Sequence, residues 1–83
     1  MTIEISPTPN PNALKFTVGA DVGGPQTFVA GSDTENQMTN ELLALDEVMS
    51  IFMSADFVTL SKSPEGDWNV IAPLAQEILG QHF

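Results

Sequence analysis

Asn10, Asn12 and Lys15 place two amides and an ammonium within six residues, in the run Thr8-Pro9-Asn10-Pro11-Asn12-Ala13-Leu14-Lys15-Phe16. This is recognition chemistry. Amides between prolines have two uses. They close side-chain-to-backbone turns, leaving Lys15 as an ordinary outward strand residue, or they form a polar patch that contacts a partner. Trp68 has the same double reading, as core or as an interface anchor. Covalent chemistry finds little support. The chain has no cysteine, so it offers no thiolate nucleophile, no disulfide and no sulfur ligand for zinc or an iron–sulfur cluster. Its single histidine, His82, lies one residue from the end of the sequence and is expected to fray, with nothing to orient it as an acid or base. Asp21, Asp33 and Glu35 lack the spacing of an EF-hand loop. No metalloprotease, phosphate-loop, dinucleotide or nucleophile-elbow pattern occurs, so an enzyme and a metal site are not expected.

Eleven acidic residues stand against Lys15 and Lys62, with no arginine, for a formal charge of −9. Such a surface repels phosphate backbones and anionic lipid, which argues against nucleic acid and membrane as partners. It is either a solubilising shell or one half of an electrostatic match with a basic protein. Eighty-three residues are expected to form one domain, residues 1–83. A chain of this size buries about 60–65% of its unfolded surface, enough for one or two helices on a small sheet. The start, Met1-Thr2-Ile3-Glu4, lacks the basic and apolar regions of a signal peptide, and no apolar run has membrane-spanning length. A soluble, cytoplasmic protein is the expectation.

The elements follow from periodicity and punctuation. Thr2–Ser6 alternates as a short edge strand, and Pro7, Pro9 and Pro11 then force an extended or turning path. In Ala13–Val18, Leu14, Phe16 and Val18 share one face, with Lys15 and Thr17 on the other. Gln26–Ala30 is a further strand with the option of pairing with Ala13–Val18 as a hairpin. Ser32-Asp33-Thr34-Glu35 fits a capping box ahead of a helix of about ten residues, whose stripe is Met38, Leu42 and Leu45. Val48–Met53 and Phe57–Lys62 flank the tight turn Ser54-Ala55-Asp56. Adjacent Ile51 and Phe52 suggest a strand buried on both faces. Asp67 caps a last helix bearing Trp68, Ile71, Leu74, Ile78 and Leu79, in which Pro73 marks either a bend or the true start, and Gly80 suits its stop. The order β-β-β-α-β-β-α gives an α+β domain, a mainly antiparallel sheet with two helices on one face. The other face is left to solvent or to a partner, with Lys15, Thr17, Thr59 and Ser61 lining it.

Thr8–Phe16, Met49–Lys62 with its Asp56-Phe57 pair, and Asp67-Trp68 followed by Val70, Ile71 and Pro73 together resemble the N-terminal domain of Nfu/NifU-like iron–sulfur scaffold proteins, across essentially the whole chain. Two features differ from that pattern. The first helix lacks the usual serine-proline start and aromatic, and Glu47 replaces a glycine that usually precedes the valine at position 48. The cysteine-bearing cluster domain that follows in full-length relatives has no counterpart in this sequence. The resemblance implies a non-enzymatic accessory domain of cluster assembly or delivery. It would have no cofactor of its own, and its partner would be an assembly component or a client apoprotein. Asn10, Asn12, Lys15, Asp56 and Trp68 are the candidate partner-binding residues. The other function class open to this composition is an acidic regulatory module, or a weak divalent-metal or small-ligand binder, unrelated to clusters.

Overall fold

The computed structural model describes residues 3–22, 25–31 and 36–82. Its elements are β1 (Glu4–Pro7), β2 (Ala13–Thr17), β3 (Gln26–Val29), α1 (Gln37–Leu43), β4 (Val48–Ser54), β5 (Phe57–Lys62) and α2 (Trp68–His82). The five strands form one antiparallel sheet in the spatial order β1-β2-β5-β4-β3. Both helices lie on one face, giving the α+β arrangement and element order expected.

Alternation decides which side chains reach the core. Phe16, Ile51, Met53, Val58 and Leu60 point to the helix-covered face and are buried with Met38 and Leu42 of α1 and Ile71, Ala75 and Leu79 of α2. Burying one such side chain contributes about 1.5–3 kcal/mol, so this single layer carries most of the driving force. Phe52 departs from the expectation of a doubly buried strand. It is 38% exposed while its neighbour Ile51 is fully buried, because no second layer covers the far side of β4.

The expected hairpin between Gln26–Ala30 and Ala13–Val18 does not form. Both edges of β2 are occupied, by β1 and by β5, and β3 pairs with β4 instead, with Phe28 opposite Ile51. The long alternating pattern of β5 makes it the better neighbour for β2. Leu14 meets Leu60 and Phe16 meets Val58. Two-residue closure at Ala55-Asp56 then brings β4 in on the far side of β5. β3, with Phe28 as its one core-facing aromatic, suits an edge.

Helix boundaries also differ from the sequence reading. The Ser32–Glu35 capping box lies outside the described residues. The cap of α1 is Asn36, whose side chain accepts from the Thr39 amide at 3.0 Å, and α1 has seven residues rather than ten. α2 starts at Trp68 and runs unbroken through Pro73 to His82. Asp67 caps it, as expected, by accepting from the Asn69 amide at 2.9 Å. Pro73 is exposed, so its missing amide falls on the wet side of the helix. Gly80 does not stop the helix, and Leu74 lies outside at 44% exposure, with Ala75 in the inward place.

Candidate functional site

The five candidate residues divide between two ends and one face of the sheet. Asn10, Asn12 and Trp68 gather at the end where β2 begins and β5 finishes. The Thr8 hydroxyl is within 2.9 Å of both the Asn10 and Ala13 carbonyls, and the Asn10 side-chain oxygen accepts from the Asn12 amide at 2.9 Å. These are the turns that alternating prolines and asparagines favour. Asn12 then reaches across the sheet. Its carbonyl accepts from the Lys62 amide at 2.8 Å and its side-chain oxygen from Lys62 Nζ at 2.9 Å. Trp68 is half-buried and donates its indole N–H to the Pro11 carbonyl at 3.1 Å, and the Lys62 ammonium lies 5.9 Å from its ring centre. The side-chain oxygens of Asn10 and Asn12 and the indole N–H of Trp68 are therefore used inside the molecule, fastening the proline loop to β5 and to the first turn of α2.

Lys62 is the residue that sequence reasoning missed. It is 9% exposed and forms no ion pair among the described residues. Its ammonium donates to Asn12 Oδ1 and to the Ser63 carbonyl, the latter at 3.2 Å. A buried ammonium needs such acceptors, since desolvation without them is costly. The signal was available: Lys62 has the same parity as Val58 and Leu60, so strand alternation directs it to the core face.

Lys15 occupies the open face. Its Nζ lies 4.6 Å from the centre of the Phe57 ring, and Phe57 meets Phe52 at 6.1 Å between centroids with the planes tilted by 43°. Lys15 forms no ion pair among the described residues, although the chain carries eleven carboxylates. Register places Ser6, Lys15, Thr59, Phe52 and Thr27 in one row across all five strands. The adjacent row runs Glu4, Thr17, Phe57 and Ser54, and on the other side Val29 extends the apolar surface at 56% exposure. Neither helix covers this face. Asp56 lies in the turn beside it, where its carbonyl accepts from the Val18 amide at 2.8 Å.

His82 is not frayed. It lies in the last turn of α2, with Nε2 2.7 Å from Oε2 of Glu41 on α1. No group of three or more histidine or acidic side chains able to hold a metal ion occurs among the described residues. Of the acidic trio considered as cation ligands, Asp33 and Glu35 lie outside them. No helix among those residues is long and apolar enough to cross a membrane.

The family model described as the scaffold protein Nfu/NifU N-terminal domain matches residues 3–83. The chain belongs to this family. It is 36% identical over 73 residues to "Conserved virulence factor C" of Staphylococcus haemolyticus, covering 86% of this chain and 20% of that protein. It is 38% identical over 87 residues to the "NFU1 iron-sulfur cluster scaffold homolog, mitochondrial" of Drosophila erecta, covering all of this chain and 31% of that protein. The chain thus spans less than a third of the length of these curated relatives. The crystal structure of protein SAV1430 from Staphylococcus aureus superposes with a TM-score of 0.84 at 30% identity, over 94% of this chain and 98% of that one. The solution structure of SeR13 from Staphylococcus epidermidis gives 0.70 at 27% identity over the whole of both chains.

Within this Nfu N-terminal domain, one departure from the family pattern acquires a physical meaning. Glu47, where a glycine is usual, has φ 73°, in the left-handed region that glycine enters freely. Its carbonyl accepts from the Ser63 amide at 2.9 Å and its carboxylate accepts from the Ser63 hydroxyl. The connection into β4 is thereby tied to the end of β5, next to Lys62.

Proposed function

We propose that this domain is a non-enzymatic docking module of iron–sulfur cluster assembly or delivery, which binds a protein partner and does not itself coordinate the cluster. Family membership supports the process. The donor set supports the division of labour: a cluster needs thiolate or comparable soft ligands, and the sequence supplies no cysteine. The residues present do not fit a cluster, so no step is assigned to one.

The observation that carries the reading is the uncovered sheet face. It presents two aromatic rings and an ammonium without a carboxylate partner among the described residues, on a chain whose other lysine is committed to an internal hydrogen bond. Interface cores are enriched in aromatic side chains, and a single ammonium among them supplies a site for a charged or polar group of the partner. Lys15 and Phe57, with Asp56 at the rim, are the contact residues we assign. Asn10, Asn12 and Trp68 serve the surface by holding β2 and β5 in place.

Affinity capture from native lysate at low and moderate salt, with mass spectrometry of the eluate, tests this. Recovery of identified iron–sulfur scaffold or client proteins, lost with Lys15→Glu, is the expected outcome. Eluates containing no such protein at either salt would sink the assignment to cluster biogenesis.

A further inference from the structure

We infer that the occupant of the open sheet face is an amphipathic helix of about three turns, apolar along one side and bearing lysine or arginine at its ends. This deepens the docking reading above and rests on it.

The apolar groups of the face fall on a diagonal. Val29 on β3, Phe52 on β4 and Phe57 on β5 occupy successive strands, each displaced by one side-chain row from the last. One strand spacing across and two residues along make each step about 8 Å, so the ridge is about 17 Å long and inclined by roughly 35° to the strands. That length is about eleven residues of helix. Helices are also what the same sheet packs on its other side.

The rim selects the charge of the occupant. The interior of the face holds hydroxyls, the two phenylalanines and Lys15. Exposed carboxylates border it at both ends: Asp56 just before Phe57 and Glu4 at the far edge of the Phe57 row, and Glu47 beyond the last row, just before β4. A segment with cations at its ends and an apolar centre matches this border. A second copy of the chain does not. Two copies bring −9 each, and their acidic rims would meet with Lys15 as the one lysine not buried. The face also spans only about 400 Å², roughly half of what each partner buries in a standard stable interface.

The test is titration of the isotope-labelled domain, followed by amide chemical shifts, with a synthetic helical peptide of about three turns carrying lysines at both ends. A glutamate-flanked peptide with the same apolar positions is the comparison, and sedimentation of the domain alone is measured alongside. The proposal expects shifts at Lys15, Phe52, Phe57 and Thr59. It expects Kd near about 100 µM, weakening about fivefold as the Debye length contracts between low and moderate salt. Phe52→Ser should abolish binding, and Glu4→Gln with Asp56→Asn should reduce the salt effect to less than about twofold. Equal or tighter binding of the glutamate-flanked peptide, shifts confined to exposed Val70 and Leu74 of α2, self-association lost in Phe52→Ser, or no binding at about 1 mM peptide would each overturn it. Capture of cluster-assembly proteins from lysate is a separate readout, so the docking reading can survive the loss of this one.

Discussion

Replacing Glu47 by glycine and, separately, by alanine divides its backbone strain from its side-chain contact. At φ 73° an L residue is held in the left-handed region at a cost of roughly 1–2 kcal/mol. Glycine escapes that cost but loses more freedom on folding, about 0.4–1 kcal/mol. Glycine should therefore exceed alanine by about 0.5–1 kcal/mol at this position. The side chain adds its hydrogen bond with Ser63, at an exposed site and so at the low end, about 0.5 kcal/mol. Alanine loses that bond and keeps the strain, so Glu47→Ala should fall about 0.5 kcal/mol below the parent. Glu47→Gly should equal or slightly exceed the parent. For a domain of this length the glycine–alanine gap corresponds to about 2–8 °C in Tm. Urea and thermal unfolding followed by circular dichroism measure it, with unchanged m-values showing that stability, and not the compactness of either state, has changed. Alanine at or above glycine, the order found inside ordinary strands and helices, would refute the strain.

Asn12→Ala should cost about 1.5–3 kcal/mol by leaving the Lys62 ammonium short of an acceptor, whereas Asn12→Asp keeps the acceptor and should cost far less; urea unfolding of both separates a lock from a surface patch. Thr39 is fully buried and its hydroxyl has no hydrogen-bond partner among the described residues, so Thr39→Val should stabilise by about 1 kcal/mol and Thr39→Ser, which keeps the orphan and loses a methyl, should destabilise. A Cβ at Gly66 would meet Glu47 Cβ at 2.9 Å and both Ile71 Cδ1 and Lys62 Cδ at 3.2 Å. Gly66→Ala should thus lose about 1–3 kcal/mol, and less in a Glu47→Gly background, a coupling of about 0.5–1 kcal/mol that a double-mutant cycle reads directly.

The alternating strands were legible because their period is short and the sheet has one wet face. Val58 and Leu60 in, Phe57 and Thr59 out, follows from parity alone. Parity also contained Lys62, but a charge at the end of a strand reads as exposed unless its register is followed to the last residue. Pairing was less legible. Nothing local in Gln26–Val29 distinguishes a partner in β2 from one in β4, because that choice depends on how much edge the other strands have left. The burial of Phe52 was misjudged for the same reason: two adjacent large side chains imply two covered faces only when a second layer exists. His82 was beyond local reasoning, since its partner Glu41 lies on another helix. Glu47 shows a different kind of legibility. Its departure from a family glycine was visible in the sequence, but the left-handed backbone behind that glycine emerged only from the structure.

The two parts of the candidate site are mechanically one. β2 and β5 carry both, with Phe16, Val58 and Leu60 inward and Lys15, Phe57 and Thr59 outward on the same strands. Slipping their pairing by one residue would turn Lys15 into the core and Phe16 onto the open face. What fixes the register at one end is the Asn12–Lys62 pair of contacts, main chain and side chain together, with Trp68 holding the loop from the helix side. At the other end it is the Ala55-Asp56 turn, whose carbonyls are bonded by Val22 and Val18. The proline–asparagine motif therefore need not touch a partner to matter for docking: by clamping β2 against β5 it sets which rings and which ammonium the open face presents. An Asn12 variant should then lose partner affinity only as far as it loses folded population, while a Phe52 variant should lose affinity at unchanged stability. Binding measured at matched folded fraction separates the two, and an Asn12→Asp domain of parental stability that no longer binds would show that the loop itself is a contact.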